Sequence, residues 1–301
     1  MSLNISQRMA GIILIAVSAA VFSSAGIFTR SVTAAAWVII FWRGLTAAGF
    51  TLAYLGLRGQ LAGEARIFDR RAWLIAVMGA LGSAAFIPAF KLSSVANVAL
   101  IYAAAPLAAA GLAWLALREA PARRVLLASV AALAGVGIIV SGSLGRGSLA
   151  GDALALFMTL MMAGIMTAYR KWPDVTAALP NAVSALLLLP VAALMAPVAE
   201  IPAGELPVLV LFGLVFAVAS VTLCEGARRL PAAETALLSA LETPLAPLLA
   251  FLILAERPGL TTVLGGAVIL TAVLWTQKPP VRSRRPEKPA DQPIACPSRS
   301  P

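Results

Sequence analysis

Apolar runs of about twenty residues recur along almost the whole chain, separated by short breaks that hold the charges, glycines and prolines. That pattern constrains the fold more than any other feature. A helix crosses about 30 Å of hydrocarbon in roughly 20 residues. Ten stretches qualify: 9–29, 35–57, 73–90, 95–117, 125–141, 151–169, 177–196, 206–226, 233–255 and 260–276. They are continuous in Ala, Leu and Val and do not alternate as the strands of a membrane barrel would. The chain is 60% hydrophobic and 12% charged, against about 25% charged in a soluble domain. Too few polar side chains remain to cover a water-facing surface. The expected fold class is therefore an all-α integral membrane protein with ten transmembrane helices. The first run follows only Arg8 and lacks a small-residue cleavage site, so it reads as a retained span rather than a signal peptide.

The same composition excludes several chemistries. With no histidine, Ser-His-Asp and Cys-His catalysis and histidine-held zinc or haem are ruled out. Two cysteines, Cys224 and Cys296, make neither a disulfide framework nor a cysteine zinc site. No glycine-rich phosphate loop, ATP-binding domain or potassium-filter sequence is present. No cofactor and no metal are expected.

Charge sets an orientation. With alternating spans, one side receives Arg8, Arg58, Arg66, Arg70, Arg71, Arg118, Arg123, Arg124, Arg170, Lys171, Arg228 and Arg229, which is twelve basic residues. The other side receives four: Arg30, Lys91, Arg146 and Arg257. The positive-inside rule places the richer side, and both termini, in the cytoplasm of a bacterial-type inner membrane. Beyond Lys278 the chain turns basic and proline-rich, and 278–301 reads as a disordered cytoplasmic tail. The net charge of +10 therefore does not signal nucleic acid.

The chain also repeats itself. At a displacement of 138 residues Ala89 meets Ala227, Leu92 meets Leu230, Leu100 meets Leu238, and Pro106-Leu107-Ala108 meets Pro244-Leu245-Ala246. One residue closer, Glu119 meets Glu256 and Pro121 meets Pro258; at 140, Ala10-Gly11 meets Ala150-Gly151 and Arg30 meets Arg170. The units are 1–146 and 147–277. Five crossings per unit is odd, so the second copy enters the membrane from the opposite side, and such inverted repeats enclose a site near the midplane.

The stretches Leu92-Ser93-Ser94-Val95-Ala96-Asn97 running to Pro106-Leu107 and Glu119, and Leu230-Pro231-Ala232-Ala233-Glu234-Thr235 running to Glu242-Thr243-Pro244-Leu245 and Glu256, resemble the drug/metabolite transporter superfamily, specifically its EamA-type members. Phe41-Trp42-Arg43 looks like that family's aromatic-Arg signature. The nearest branch resembles the YddG-type aromatic amino acid exporters. The resemblance covers about 9–276. It implies two inverted five-helix repeats around a central cavity, with spans three, four, eight and nine at its heart. It also implies a monomeric secondary transporter of small molecules that works by alternating access, exporting amino acids or other amphipathic metabolites. Nucleosides and quaternary amines are the alternative substrates. A membrane enzyme of lipid metabolism is the rival class, but it would need clustered carboxylates.

Polar groups in lipid are costly, so each asks for a reason. Glu242 lies about ten residues into the ninth span. It reads either as an amine ligand or proton carrier, or as a structural carboxylate bonded to backbone freed by proline. Asn97, Tyr102, Ser239 and Trp42 offer hydrogen bonds and an aromatic wall, and Phe86, Trp114, Met162 and Met166 a pliable apolar lining. Pro106, Pro244 and Pro247 remove backbone donors and are expected to kink helices beside a cavity. Arg43 either snorkels or bonds helix ends, or stands in a gate that attracts a carboxylate. Trp37, Trp73, Trp172 and Trp275 read as interfacial anchors, and Gly79, Gly82, Gly135, Gly137, Gly164, Gly265 and Gly266 as points of close helix contact.

Overall fold

The computed structural model describes residues 5–24, 27–28, 31–93, 95–141, 148–202, 204–254 and 259–277, and every regular element among them is helical. The tail 278–301, Arg30, and the pairing of Glu119 and Pro121 with Glu256 and Pro258 lie outside or partly outside those residues. In chain order the helices are α1 Ile5–Phe22, α2 Ala36–Leu57, α3 Leu61–Arg66, α4 Arg70–Leu92, α5 Val95–Tyr102, α6 Ala105–Leu117, α7 Arg123–Val140, α8 Leu149–Lys171, α9 Ala178–Met195, α10 Leu206–Ala227, α11 Ala232–Ser239, α12 Glu242–Leu254 and α13 Leu260–Gln277. Eight spans are long and apolar enough to cross a membrane when α5 with α6, and α11 with α12, each count as one. The shorter α1, and α4 with Arg70 and Arg71 at its start, complete the ten.

Local chemistry sets several ends. Asp69 caps α4 by accepting from the Arg71 and Ala72 amides at 2.9 and 3.1 Å, satisfying two otherwise orphaned donors. Ser148 caps α8 by accepting from the Gly151 amide at 3.1 Å. Asp152 in its first turn and Arg170 and Lys171 in its last complement the helix dipole. The first span departs from expectation: its long helix stops at Phe22 instead of continuing to 29. The Ser23 and Ser24 hydroxyls turn back onto the Ala19 and Val21 carbonyls, each at 2.6 Å, competing with the helical ladder there.

Two expected spans are each broken in two. A continuous helix would need a Pro106 amide to reach the Tyr102 carbonyl, and proline has none. The chain tightens instead, with Ala104 N donating to Ile101 O at 3.1 Å, and restarts with Leu107 N donating to Ala104 O at 3.0 Å. The equivalent span breaks between Ser239 and Glu242, where Leu241 N donates to Leu238 O and Thr243 N to Ala240 O, both at 3.1 Å. Pro106 and Pro244 therefore sit in the opening turns of new helices, where a missing donor costs little, rather than kinking continuous ones. Of these three prolines only Pro247 lies inside a helix, α12, as Pro88 and Pro190 do in α4 and α9.

The duplication is visible in space. Spans α4 and α8 pack as α1 and α10 do; α4 and α9 pack as α2 and α10 do. Two further pairs, α2 with α9 and α7 with α13, join equivalent elements. The glycine contacts come in matched pairs. A Cβ at Gly79 would stand 2.5 Å from the Ser184 hydroxyl, and one at Gly213 would overlap the Thr46 hydroxyl. At Gly151 it would strike the Leu92–Ser93 backbone at 2.6 Å, and at Gly11 the Leu230 side chain at 2.9 Å. Gly135 and Gly265 face one another across α7 and α13, each blocking a Cβ on the other with its carbonyl oxygen. Gly137 departs from expectation, since nothing lies within 4 Å of a Cβ there.

The two rims differ in chemistry. The rim where α2, α6, α8 and α10 end is laced with ion pairs: Arg8 with Glu234, Arg71 with Asp174 at 3.0 Å, Arg170 with Glu119 at 3.2 Å, and Arg228 and Arg229 with Glu225 at 2.6 and 2.5 Å. The opposite rim is held by hydrogen bonds. Ser93 bonds Asp152, the Ser148 hydroxyl donates to Leu92 O at 2.7 Å, and Glu205 accepts from the Thr33 amide and hydroxyl at 2.7 Å each and from the Ala34 amide at 3.2 Å.

Two outcomes follow from these contacts. Gly265→Val should destabilise the detergent-solubilised protein by about 1–3 kcal/mol through overpacking, whereas Gly137→Val should stay within about 0.5 kcal/mol; thermal unfolding of both checks the seam. The Thr33 amide, and after it the Thr33 hydroxyl and Ala34 amide, hold the Glu205 carboxyl below its ordinary value of 4.5. Such a depressed group stabilises fully above 4.5 and loses its contribution as pH falls through the lower folded value. The difference in melting temperature between the wild type and Glu205→Ala should therefore be present at pH 7 and close as pH falls below 4.5.

Candidate functional site

A cavity of about 390 Å³ lies among eight of the ten spans, within the range of about 300–1,000 Å³ that small-molecule sites occupy. Its wall includes α1, α2, α8 and α9 as well as spans three, four, eight and nine, while α7 and α13 contribute no lining residue. Much of the wall is apolar: Phe22, Phe86, Phe216, Met158, Met162, Ile165, Leu188 and Leu223. Small hydroxyls from Ser18, Thr51, Ser83, Ser184, Ser220 and Ser239 interrupt it, together with Asn181 and Cys224.

Two ionisable groups of opposite sign line this hollow, Arg43 on α2 and Glu242 at the first position of α12. Arg43 lies over the Phe216 ring at 4.2 Å and near Phe212 at 5.6 Å, so its cation is stabilised by aromatic faces. Its Nε is buried without a hydrogen-bond partner. Phe216 meets Phe22 edge to face, with centroids 5.6 Å apart. The adjacent Ser23 donates to the Glu242 backbone carbonyl at 3.3 Å. An unbroken path of contacts thus runs from Arg43 through Phe216, Phe22 and Ser23 to Glu242. Among the described residues neither charge is neutralised by an ion pair. The break before α12 explains where Glu242 sits, because a carboxylate in the first turn faces the positive end of the helix dipole. Tyr102, at the matching break, lines the same cavity.

Of the residues expected from sequence, Arg43, Phe86, Tyr102, Ser239, Glu242 and Met162 line the cavity. Trp42 does not. Successive helical residues point about 100° apart, so with Arg43 facing the hollow Trp42 turns away, donating from Nε1 to Val198 O at 2.9 Å and packing near Ile39, Leu209 and Phe212. Asn97 donates to Asp152 at 3.5 Å in the first turn of α5. Met166 is buried among Ala109, Ala113, Ala163, Ala232 and Ala236 where α6, α8 and α11 meet. Trp114 is 60% exposed on the outer face of α6. Pro106, Pro244 and Pro247 are absent from the wall; Pro244 packs instead on Gly266, whose Cβ would stand 3.3 Å from it. Their influence on the hollow is indirect, through the breaks that place Tyr102, Ser239 and Glu242.

Asn181, Thr51, Ser83, Ser184, Ser220, Cys224, Phe22 and Phe216 were not expected from sequence. The repeat carried a signal for some of them. Counting 138 residues from Arg43 reaches Asn181, and from Thr46 reaches Ser184; both lie on the cavity wall. Among the described residues no three His, Cys, Asp or Glu side chains come together as a metal site.

Comparison with known proteins agrees with this architecture. A solved crystal structure at 17% identity covers 89% of this chain and 96% of its own with a TM-score of 0.77, a likeness of fold. No curated protein matches. The model of the EamA-like transporter family matches twice, over 9–141 and 146–277, so that nearly the entire chain is accounted for by two copies of one unit. The chain belongs to the EamA-like transporter family: it is a multi-pass membrane transporter of small molecules, not an enzyme.

Proposed function

We propose that this transporter exports amphipathic small metabolites, amino acids first among them, by alternating access across a bacterial-type inner membrane, with both termini in the cytoplasm. The observation that carries the reading is the pair of unneutralised, opposite charges on one cavity wall. Arg43 and Glu242 flank the Phe22–Phe216 pair. A zwitterionic head supplies a carboxylate for the guanidinium and an ammonium for the carboxylate, so that each charge gains a partner of opposite sign. The phenyl and methionine surfaces beside them accept an apolar side chain. Aromatic amino acids, the substrates of the YddG-type branch, suit such a wall.

Inward and outward access are natural to two units, 1–146 and 147–277, that present matched contacts on opposite sides of the membrane. The excess of basic residues at the ion-paired rim supports a cytoplasmic assignment for that rim.

Purified protein in liposomes should accelerate exchange of amino acids over protein-free vesicles. Arg43→Gln and Glu242→Gln should each lower transport efficiency about ten- to a hundredfold, the range expected for a lost charge-assisted bond. Their selectivity should differ. Arg43→Gln should spare the decarboxylated amine of the same side chain, and Glu242→Gln should spare the deaminated acid. Equal losses for the zwitterion and both analogues would show that neither group meets the head. Transport of quaternary amines but of no amino acid would replace this reading with drug-like cation export.

A further inference from the structure

At the far end of the hollow from Arg43 stands a neutral group with one unused function. Asn181, on the first turn of α9, directs its amide nitrogen into the protein, donating to Ala177 O at 2.8 Å and to Cys224 Sγ at 3.2 Å. A nitrogen held by a carbonyl fixes which way the carboxamide points. The oxygen of the same carboxamide faces the other way. Asn181 lines the cavity, and its Oδ1 is not among the buried atoms that lack partners. It is an accessible acceptor on a wall that is otherwise largely apolar.

Its position follows from the repeat. The 138-residue step that carries Thr46 to Ser184, each hydroxyl standing against a glycine of a neighbouring span, also carries Arg43 to Asn181. The same wall position thus carries a cation towards one end and a neutral amide towards the other. Gly44, beside Arg43, lies against Leu189 and Ala185. Asn181 is four to eight residues before these in α9, about 6–12 Å away at 1.5 Å per residue. An extended aromatic amino acid covers that span from its carboxylate to the far edge of its ring.

We propose that Asn181 is a specificity-determining residue of this transporter, accepting a hydrogen bond from the far end of the substrate. The inference rests on the amino acid reading above and deepens it. Side chains that end in a donor, the phenol of tyrosine or the indole of tryptophan, are favoured over the hydrocarbon isostere phenylalanine. A phenol entering an apolar hollow loses its water and needs a replacement acceptor. Phenylalanine needs none, but it covers Asn181 Oδ1 and leaves it unpaired, which is how a polar site rejects a hydrocarbon analogue. Cys224 and Ala177 act only by holding the nitrogen, so that the oxygen is already turned to the substrate.

Competition in proteoliposomes tests this directly. The wild type should prefer tyrosine to phenylalanine by about tenfold in kcat/KM, and should treat O-methyltyrosine, which lacks the donor, no better than phenylalanine. In Asn181→Leu the tyrosine preference should disappear, with tyrosine transport falling and phenylalanine transport rising because no acceptor is left for its ring to cover; Cys224→Ala, which leaves the Ala177 carbonyl on the amide nitrogen, should keep the preference. A wild type that carries tyrosine, phenylalanine and O-methyltyrosine equally overturns the inference without any variant. So does an Asn181→Leu protein that loses both substrates in the same proportion, the signature of a purely structural role. Absence of flux for every amino acid would instead overturn the substrate reading itself, and this inference with it.

Discussion

A helix interrupted inside hydrocarbon leaves donors and acceptors that no water can satisfy. Two of the ten spans accept that constraint, at Tyr102–Ala105 and Ser239–Glu242, and the rest of the structure is arranged around it. Short-range bonds such as Leu107 N to Ala104 O and Leu241 N to Leu238 O absorb part of the deficit. The remainder is tolerable because the breaks border a hollow rather than lipid, as the presence of Tyr102, Ser239 and Glu242 in its wall shows. Proline at Pro106 and Pro244 enforces the interruption; the hollow makes it affordable.

Duplication supplies the frame, and divergence supplies the chemistry. Matched glycines bring equivalent helices together, but the groups they bring face to face are not equivalent. The α11 entry is tied to α1 by Arg8 and Glu234, whereas the α5 entry meets α8 through Ser93, Asp152 and Asn97. Individual surface ion pairs contribute at most about 1 kcal/mol, yet several of them crowd one rim and few the other. The cavity shows the same divergence, with Arg43 and Asn181 at related positions. Two copies that fold alike therefore need not be equal in energy when they exchange roles.

The crossings were legible in the sequence because lipid demands long apolar runs, and the repeat because paired prolines and glycines survive in an otherwise permissive composition. Which face of each helix meets the hollow was not legible. In a soluble helix the polar stripe marks the outside, but a membrane helix is apolar towards both lipid and neighbours. Trp42 and Met166 carry the right chemistry on the wrong face, and Asn97 sits at a helix end where Asp152 engages it. Asn181 and Ser184 are inconspicuous within α9 until their repeat partners are counted out. The breaks themselves were half legible: the prolines were evident, but a proline kinks one helix as readily as it starts the next.

The seam between α7 and α13 lies apart from the hollow, and its two glycines bring the backbones of the two units into direct contact. Both partners there are the last span of their unit, so the joint maps onto itself when the units are swapped. Such a joint fastens the two units along a line of backbone contact that the cavity does not interrupt.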